Sequence, residues 1–151
     1  MALVPASFKV PTTLVTDSFC LRPLTIHDIV RDYDAVMTSQ PELWQRFSEP
    51  WSWPAANLSL EQDLIDLAWH QKEAQRRQSF AYAVMNLEAT QQVGCVYVDP
   101  PLNPGYEASV WYWVRTSELS SGLEEHLGGA IRQWIEADWP FHRVEYPGRE
   151  A

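Results

Sequence analysis

Lysine is almost missing from this 151-residue chain, occurring only as Lys9 and Lys72, and 11 Lys+Arg stand against 20 Asp+Glu for a formal net charge of −9. Without a basic stripe to follow a phosphate backbone, the sequence argues against nucleic acid as the main ligand and favours a cationic one. Long apolar runs are missing as well. Arg, Asp, Glu or Gln interrupts each of them before the roughly 18 residues of a membrane span. The first ten residues hold no basic segment followed by an apolar one, so the expectation is a cytoplasmic protein with no membrane contact. Cysteine is limited to Cys20 and Cys95, far apart and without CxxC spacing, which predicts buried free thiols rather than a disulfide or a zinc site. Nucleotide-binding glycine loops and the Gly-x-Ser-x-Gly elbow are also absent. The four histidines have no spacing that assembles a metal site, and Asp66 with His70 at i and i+4 reads as a surface pair.

Aromatic side chains are what the sequence has in excess. There are eight Trp, six Tyr and five Phe, and Trp44, Phe47, Trp51 and Trp53 crowd into one stretch. Together with 46% hydrophobic residues, this length supports a single domain over residues 1–151 with a core of its own. Trp51 and Trp53 could bind a cationic substrate through their ring faces, or simply seal a loop against that core.

Periodicity orders the elements. Phe19 to Leu24 reads as a strand, and Thr25 with Asp28 caps a helix whose apolar face is Ile26, Ile29, Val30, Tyr33, Val36 and Met37, with Asp32 and Asp34 turned outward. Pro41, Pro50 and Pro54 break the pattern over residues 40–58, which predicts a loop or a short broken helix. Ser59 and Gln62 form a capping box for a second helix reaching about Arg77. Phe80 to Leu87 and Gln92 to Val98 predict an antiparallel hairpin. Tyr106 to Arg115 follows as a strand apolar on both faces and therefore covered on both. Ser121 with Glu124 reads as a further capping box, opening a third helix with the buried stripe Leu123, Leu127, Ala130, Ile131, Trp134 and Ile135. Gly128 and Gly129 inside it call for a close approach to a neighbouring backbone, as in helix-to-sheet packing, and Phe141 to Tyr146 supplies a last strand.

This order, with Leu21-Arg22-Pro23-Leu24-Thr25 entering the first helix, Val93-Gly94-Cys95-Val96-Tyr97-Val98 as a central fourth strand and Tyr112-Trp113-Val114 closing a fifth, resembles the GNAT superfamily of acyl-CoA-dependent N-acetyltransferases, in particular its ribosomal-protein acetyltransferase branch. The resemblance implies an α/β (α+β) fold with a mixed, mostly antiparallel sheet and helices on both faces. It implies transfer of an acetyl group from acetyl-CoA, the co-substrate, to a small-molecule or peptide amine. The family's fourth and fifth strands splay to admit the pantetheine arm, which would place Val96, Tyr97, Val98, Trp113 and Val114 along it, and the following helix receives the pyrophosphate. A helix N-terminus suits that anion. The family loop Gln/Arg-x-x-Gly-x-Gly/Ala falls on Leu119-Ser120-Ser121-Gly122-Leu123-Glu124 and matches only at Gly122. A bare Glu124 carboxylate about 6 Å from a phosphate would cost roughly 3 kcal/mol at an effective dielectric constant of about 20, so the expectation is weak binding.

Asp99 and Glu107, at the ends of the two strands, are the general-base candidates, with solvated turn residues as the alternative. Family members continue into a further helix and strand, and the tyrosine that protonates the leaving thiolate lies on that helix, so the resemblance does not assign this role to Tyr146. A shortened C-terminus and many aromatics favour a homodimer. The competing function is a non-catalytic binding or dimerisation module that has lost the acetyl-CoA site.

Overall fold

The computed structural model describes residues 2–149. Its six strands lie in chain order: β1 (Leu14–Val15), β2 (Phe19–Pro23), β3 (Phe80–Asn86), β4 (Gln92–Asp99), β5 (Ala108–Val114) and β6 (Val144–Glu145). Every neighbouring pair is antiparallel except β5 and β6. A parallel pair needs a crossover, which the helix between them provides. The helices are α1 (Ile29–Met37), α2 (Gln40–Trp51), α3 (Leu60–Gln75) and α4 (Leu123–Asp138).

Both faces of the central strands are covered. Val96, Val98, Val110, Tyr112 and Val114 pack with Leu127, Ile131, Trp134 and Ile135 of α4. Ala83, Cys95, Tyr97, Trp111 and Trp113 pack with Val36, Leu43, Phe47 and Leu67 of α1, α2 and α3. This is the expected mixed sheet between two helical layers. Gly128 does pack close to the sheet, but against a side chain and not a backbone: a Cβ there would lie 2.5 Å from the Tyr112 hydroxyl, whereas one on Gly129 would meet nothing within 4 Å. Cys95 is buried and Cys20 half-buried, and both are free.

Four local expectations need correction. The α1 helix is rotated from its predicted facing: Asp32 is 4% exposed whereas Val30 is 72% exposed. Asp28 and Asp32 turn inward because each finds a partner there. Asp28 accepts from the Thr25 N–H and pairs with Arg22, and Asp32 accepts from Gln92. Residues 40–51 form a regular helix despite their prolines. Pro41 stands in the first turn, where its missing N–H is not needed, and Pro50 in the last, where it deprives only the Arg46 carbonyl of a helical donor. The Ser121–Glu124 capping box does not form: Gly122 is the N-cap of α4, at φ +83°, Ser121 Oγ accepts from the Leu123 N–H at 3.3 Å instead, and Glu124 turns to Arg46 and Arg149. The last strand is short, two residues instead of six.

Candidate active site

Strand alternation builds the site. On β4, Cys95, Tyr97 and Asp99 project toward α1, α2 and α3, as do Ser109, Trp111 and Trp113 on β5. The end of α2 lays Phe47 and Trp51 over them, and Trp53 follows in the loop. Phe47 stacks on Trp51 with ring centres 4.4 Å apart, and Trp51 stands 4.8 Å from Trp111 and 5.4 Å from Tyr97. Trp113 Nε1 donates to the Tyr97 hydroxyl at 3.1 Å and Trp111 Nε1 to Ser109 Oγ at 3.2 Å, so these rings are fixed. Cavities lie on two sides of this aromatic cluster.

The first, of about 310 Å3, is lined by Asp32, Asp63, Asp66 and Asp99 together with Trp51, Trp53, Trp69, His70 and Tyr97. Burial pushes the Asp32 carboxyl up. Burial and the neighbouring Asp32 charge push Asp63 up to about 9, so at neutral pH the two carboxyls share a proton. Burial raises Asp66 as well, and it moves Asp99 up to about 7, into the range of a general base working near neutrality. His70, stacked 5.4 Å from Tyr97 and pushed down to about 4 by burial, is uncharged. It is a wall of this cavity, not half of a surface ion pair with Asp66, which accepts instead from Gln62.

The second cavity, of about 420 Å3, adjoins β5 and is lined by Arg46, Phe47, Glu49, Leu102, Trp111, Tyr112 and Arg149. The β5 strand pairs with β4 from Gly94↔Val114 to Asp99↔Ser109 but with β6 only at Ala108 and Ser109. Among the described residues its outer edge beyond Ser109 has no strand partner. Arg149 donates to the Tyr112 carbonyl on that edge at 2.5 Å, and its guanidinium lies 3.9 Å over the Tyr112 ring. Glu124, from the first turn of α4, bonds both Arg149 and Arg46. Burial alone would raise its carboxyl, but the two arginines outweigh this and hold it below the usual carboxylate range. Two positive charges and one negative leave this triplet at +1.

The profile of the acetyltransferase (GNAT) domain matches residues 18–147. The chain belongs to that family. Acetyl transfer is therefore its activity, and the non-catalytic alternative is not favoured. Solved structures of the same fold include ribosomal-protein-S5-alanine acetyltransferase from Vibrio fischeri, 13% identical with a TM-score of 0.67 over 89% of this chain and 72% of that one. The microcin C7 self-immunity acetyltransferase MccE, solved with acetyl-CoA and AMP, is 14% identical with a TM-score of 0.67 over the same shares, 89% and 72%. RimL, a ribosomal-protein acetyltransferase solved with coenzyme A, is 18% identical with a TM-score of 0.65 over 83% of this chain and 68% of that one. No curated protein matches the sequence.

Within this GNAT domain the opening expected between the strands of residues 92–99 and 108–114 does not exist. Val96, Tyr97 and Val98 lie in an interior strand paired with β3 on one side and β5 on the other, so their backbone groups are taken. The free edge is one strand further on, between β5 and β6. Trp113 and Val114 are on β5 as expected, Trp113 packed toward α1–α3 and Val114 toward α4. Leu119, Ser120, Ser121 and Gly122 form the exposed turn before α4, which Leu123 starts. Glu107 is engaged elsewhere: its carboxylate accepts the N–H groups of His142 at 2.6 Å and Arg143 at 3.1 Å, which hold it below the usual carboxylate range and tie β5 to the segment leading into β6. Trp51, Trp53 and Asp99 meet at the first cavity. The sequence reading missed Asp32, Asp63 and Arg149. The pattern of α1 even placed Asp32 outside, and the only signal for it was an acidic residue recurring at i and i+4 (Asp28, Asp32) beside Ala35 and Val36.

Proposed function

We propose that this chain transfers the acetyl group of acetyl-CoA to a cationic amine, with acetyl-CoA along the outer edge of β5 and at the N-terminus of α4, and with Asp99 as general base. The observation that carries this is the unpaired edge of β5 beyond Ser109, directly beside the N-terminus of α4, where the N-cap Gly122 has no side chain and Ser121 Oγ accepts the Leu123 N–H at 3.3 Å. A free strand edge offers the amide and carbonyl groups that an extended pantetheine arm can bond, and the helix N-terminus suits phosphate. Glu124 does not oppose this as a bare carboxylate would, because Arg46 and Arg149 compensate it. When bound, acetyl-CoA supplies an activated acyl thioester. The chain's own groups do the rest. Asp99, opposite Ser109 at the end of β5 where the free edge begins, accepts the ammonium proton so that the neutral amine can attack the thioester carbonyl; the C–S bond then breaks and coenzyme A leaves as its thiol, taking up the second amine proton. Backbone N–H groups of the β5 edge stand ready for the developing oxyanion.

Calorimetric titration with acetyl-CoA tests the reading. One saturable site is expected, and Arg149→Ala, which leaves Glu124 with only Arg46 to compensate it, should weaken it severalfold. Absence of binding by both proteins would refute it.

A further inference from the structure

We propose that the outer face of α3 is a self-association surface, on which a second copy of this chain packs with its own α3 running antiparallel. Such pairing is independent of the acetyl-transfer reading.

The inner side of α3 is fixed by the buried Asp63 and Leu67. Glu61, Ile65, Ala68 and Lys72 fall on the opposite side, spaced by four, three and four residues, which is the spacing of a seam between two packed helices. All four are exposed, and none lines either cavity of the site. Leu64 flanks the seam on one side and Trp69 on the other, both exposed as well. With Ile65 52% and Trp69 57% exposed, α3 turns an apolar face to water as well as to the core. A helix that only covers a sheet keeps its apolar stripe inside, and a contiguous apolar face left outside marks an interaction surface.

The charges choose the occupant. Glu61 opens the seam and Lys72 closes it, and among the described residues neither has an ion-pair partner in its own chain. When a copy of the same helix is laid antiparallel, with a two-fold axis at the level of Asp66 and Leu67, Glu61 of each copy meets Lys72 of the other. Ile65 of each then meets Ala68 of the other, a large side chain against a small one. The flanking residues meet their own kind across the axis, Leu64 against Leu64 and Trp69 against Trp69. A parallel pair would instead set Glu61 against Glu61 and Lys72 against Lys72. The face is therefore complementary to itself in one orientation, as a closed two-fold contact requires. A lipid surface is a poor match, since this chain of net charge −9 places one lysine there and no basic cluster. The helix has 16 residues and is about 24 Å long. One helix pair of that length buries less than the roughly 1,200 Å2 of standard stable complexes, so the dimer is a weak, reversible one.

Sedimentation equilibrium of the whole chain, from low micromolar to millimolar concentration, tests this. A reversible monomer–dimer equilibrium is expected. Ile65→Asp, at an exposed position, should weaken association at least tenfold while circular dichroism and urea unfolding stay unchanged. Glu61→Lys and Lys72→Glu each set like charges against one another and should weaken it severalfold, Glu61→Lys doing so although it brings the net charge nearer zero. The double exchange Glu61→Lys with Lys72→Glu should restore the parental affinity, which a general effect of charge would not do. A monomer at every concentration, a dimer insensitive to Ile65→Asp, or a double exchange no better than either single change would overturn the proposal. So would a monomer that binds phosphatidylcholine vesicles and loses them on Ile65→Asp, since the face would then be a membrane contact.

Discussion

Asp99→Asn is the substitution that tests the chemistry most directly. Burial at the end of β4 moves the Asp99 carboxyl up to about 7. A base with that pKa is about 9% ionised at pH 6 and about 91% ionised at pH 8, so kcat at saturating amine should rise about tenfold across this interval and level off above it. Asparagine has a similar shape and accepts no proton. The variant should therefore lose about 10²–10⁴ in kcat, the usual contribution of a positioned base, and with it the inflection near pH 7. The assay is release of the coenzyme A thiol against pH for parent and variant, with acetyl-CoA and amine both saturating. Saturation matters because kcat reports groups of the bound complex, whereas kcat/KM would add the titration of the free amine. A parent profile without an inflection between pH 6 and 8, or a variant that keeps both the rate and the inflection, would refute the assignment of Asp99.

Four predictions concern stability. Gly94→Ala would put a Cβ 2.3 Å from the Trp113 carbonyl oxygen, backbone against backbone, so β4 and β5 must separate; a loss on the order of 1–3 kcal/mol or more is expected in urea unfolding. Gly129→Ala meets nothing within 4 Å inside a helix and should instead stabilise by about 0.5–1 kcal/mol, so equal effects at the two sites would contradict the packing. Trp134 is 3% exposed with its ring 5.0 Å from Tyr82, and Trp134→Ala should cost about 3–5 kcal/mol; a loss under about 1 kcal/mol would place the side chain elsewhere. Asp63 keeps, in the folded chain, a proton that the unfolded chain releases near pH 4, so its contribution is complete at low pH and is lost as pH rises toward about 9. Tm should accordingly fall between pH 5 and 9, and Asp63→Asn should flatten that slope.

Local pattern alone determined the hairpin of β3 and β4, the double-sided β5 and the buried stripe of α4, because in each the alternation or helical recurrence of apolar residues is carried by consecutive sequence and one choice of face satisfies it. It also determined that Asp99, Trp51 and Trp53 were worth naming, since buried-strand ends and aromatic clusters are visible along the chain. The facing of α1 was decided elsewhere. An aspartate reads as an outward residue until a partner is found, and the partner of Asp32, Gln92, is 60 residues away. Glu124 looked like an obstacle to a phosphate for the same reason: Arg46 is 78 residues from it along the chain, and Arg149 is 25. The position of the opening was decided by pairing between strands. Each strand edge bonds to whatever neighbour the crossover delivers, and α4 returns β6 to β5 for only two residues. Apolar periodicity records which face a residue occupies; it carries no record of which edge of a strand is left free or which distant charge is waiting inside, and those two facts shape the proposed site.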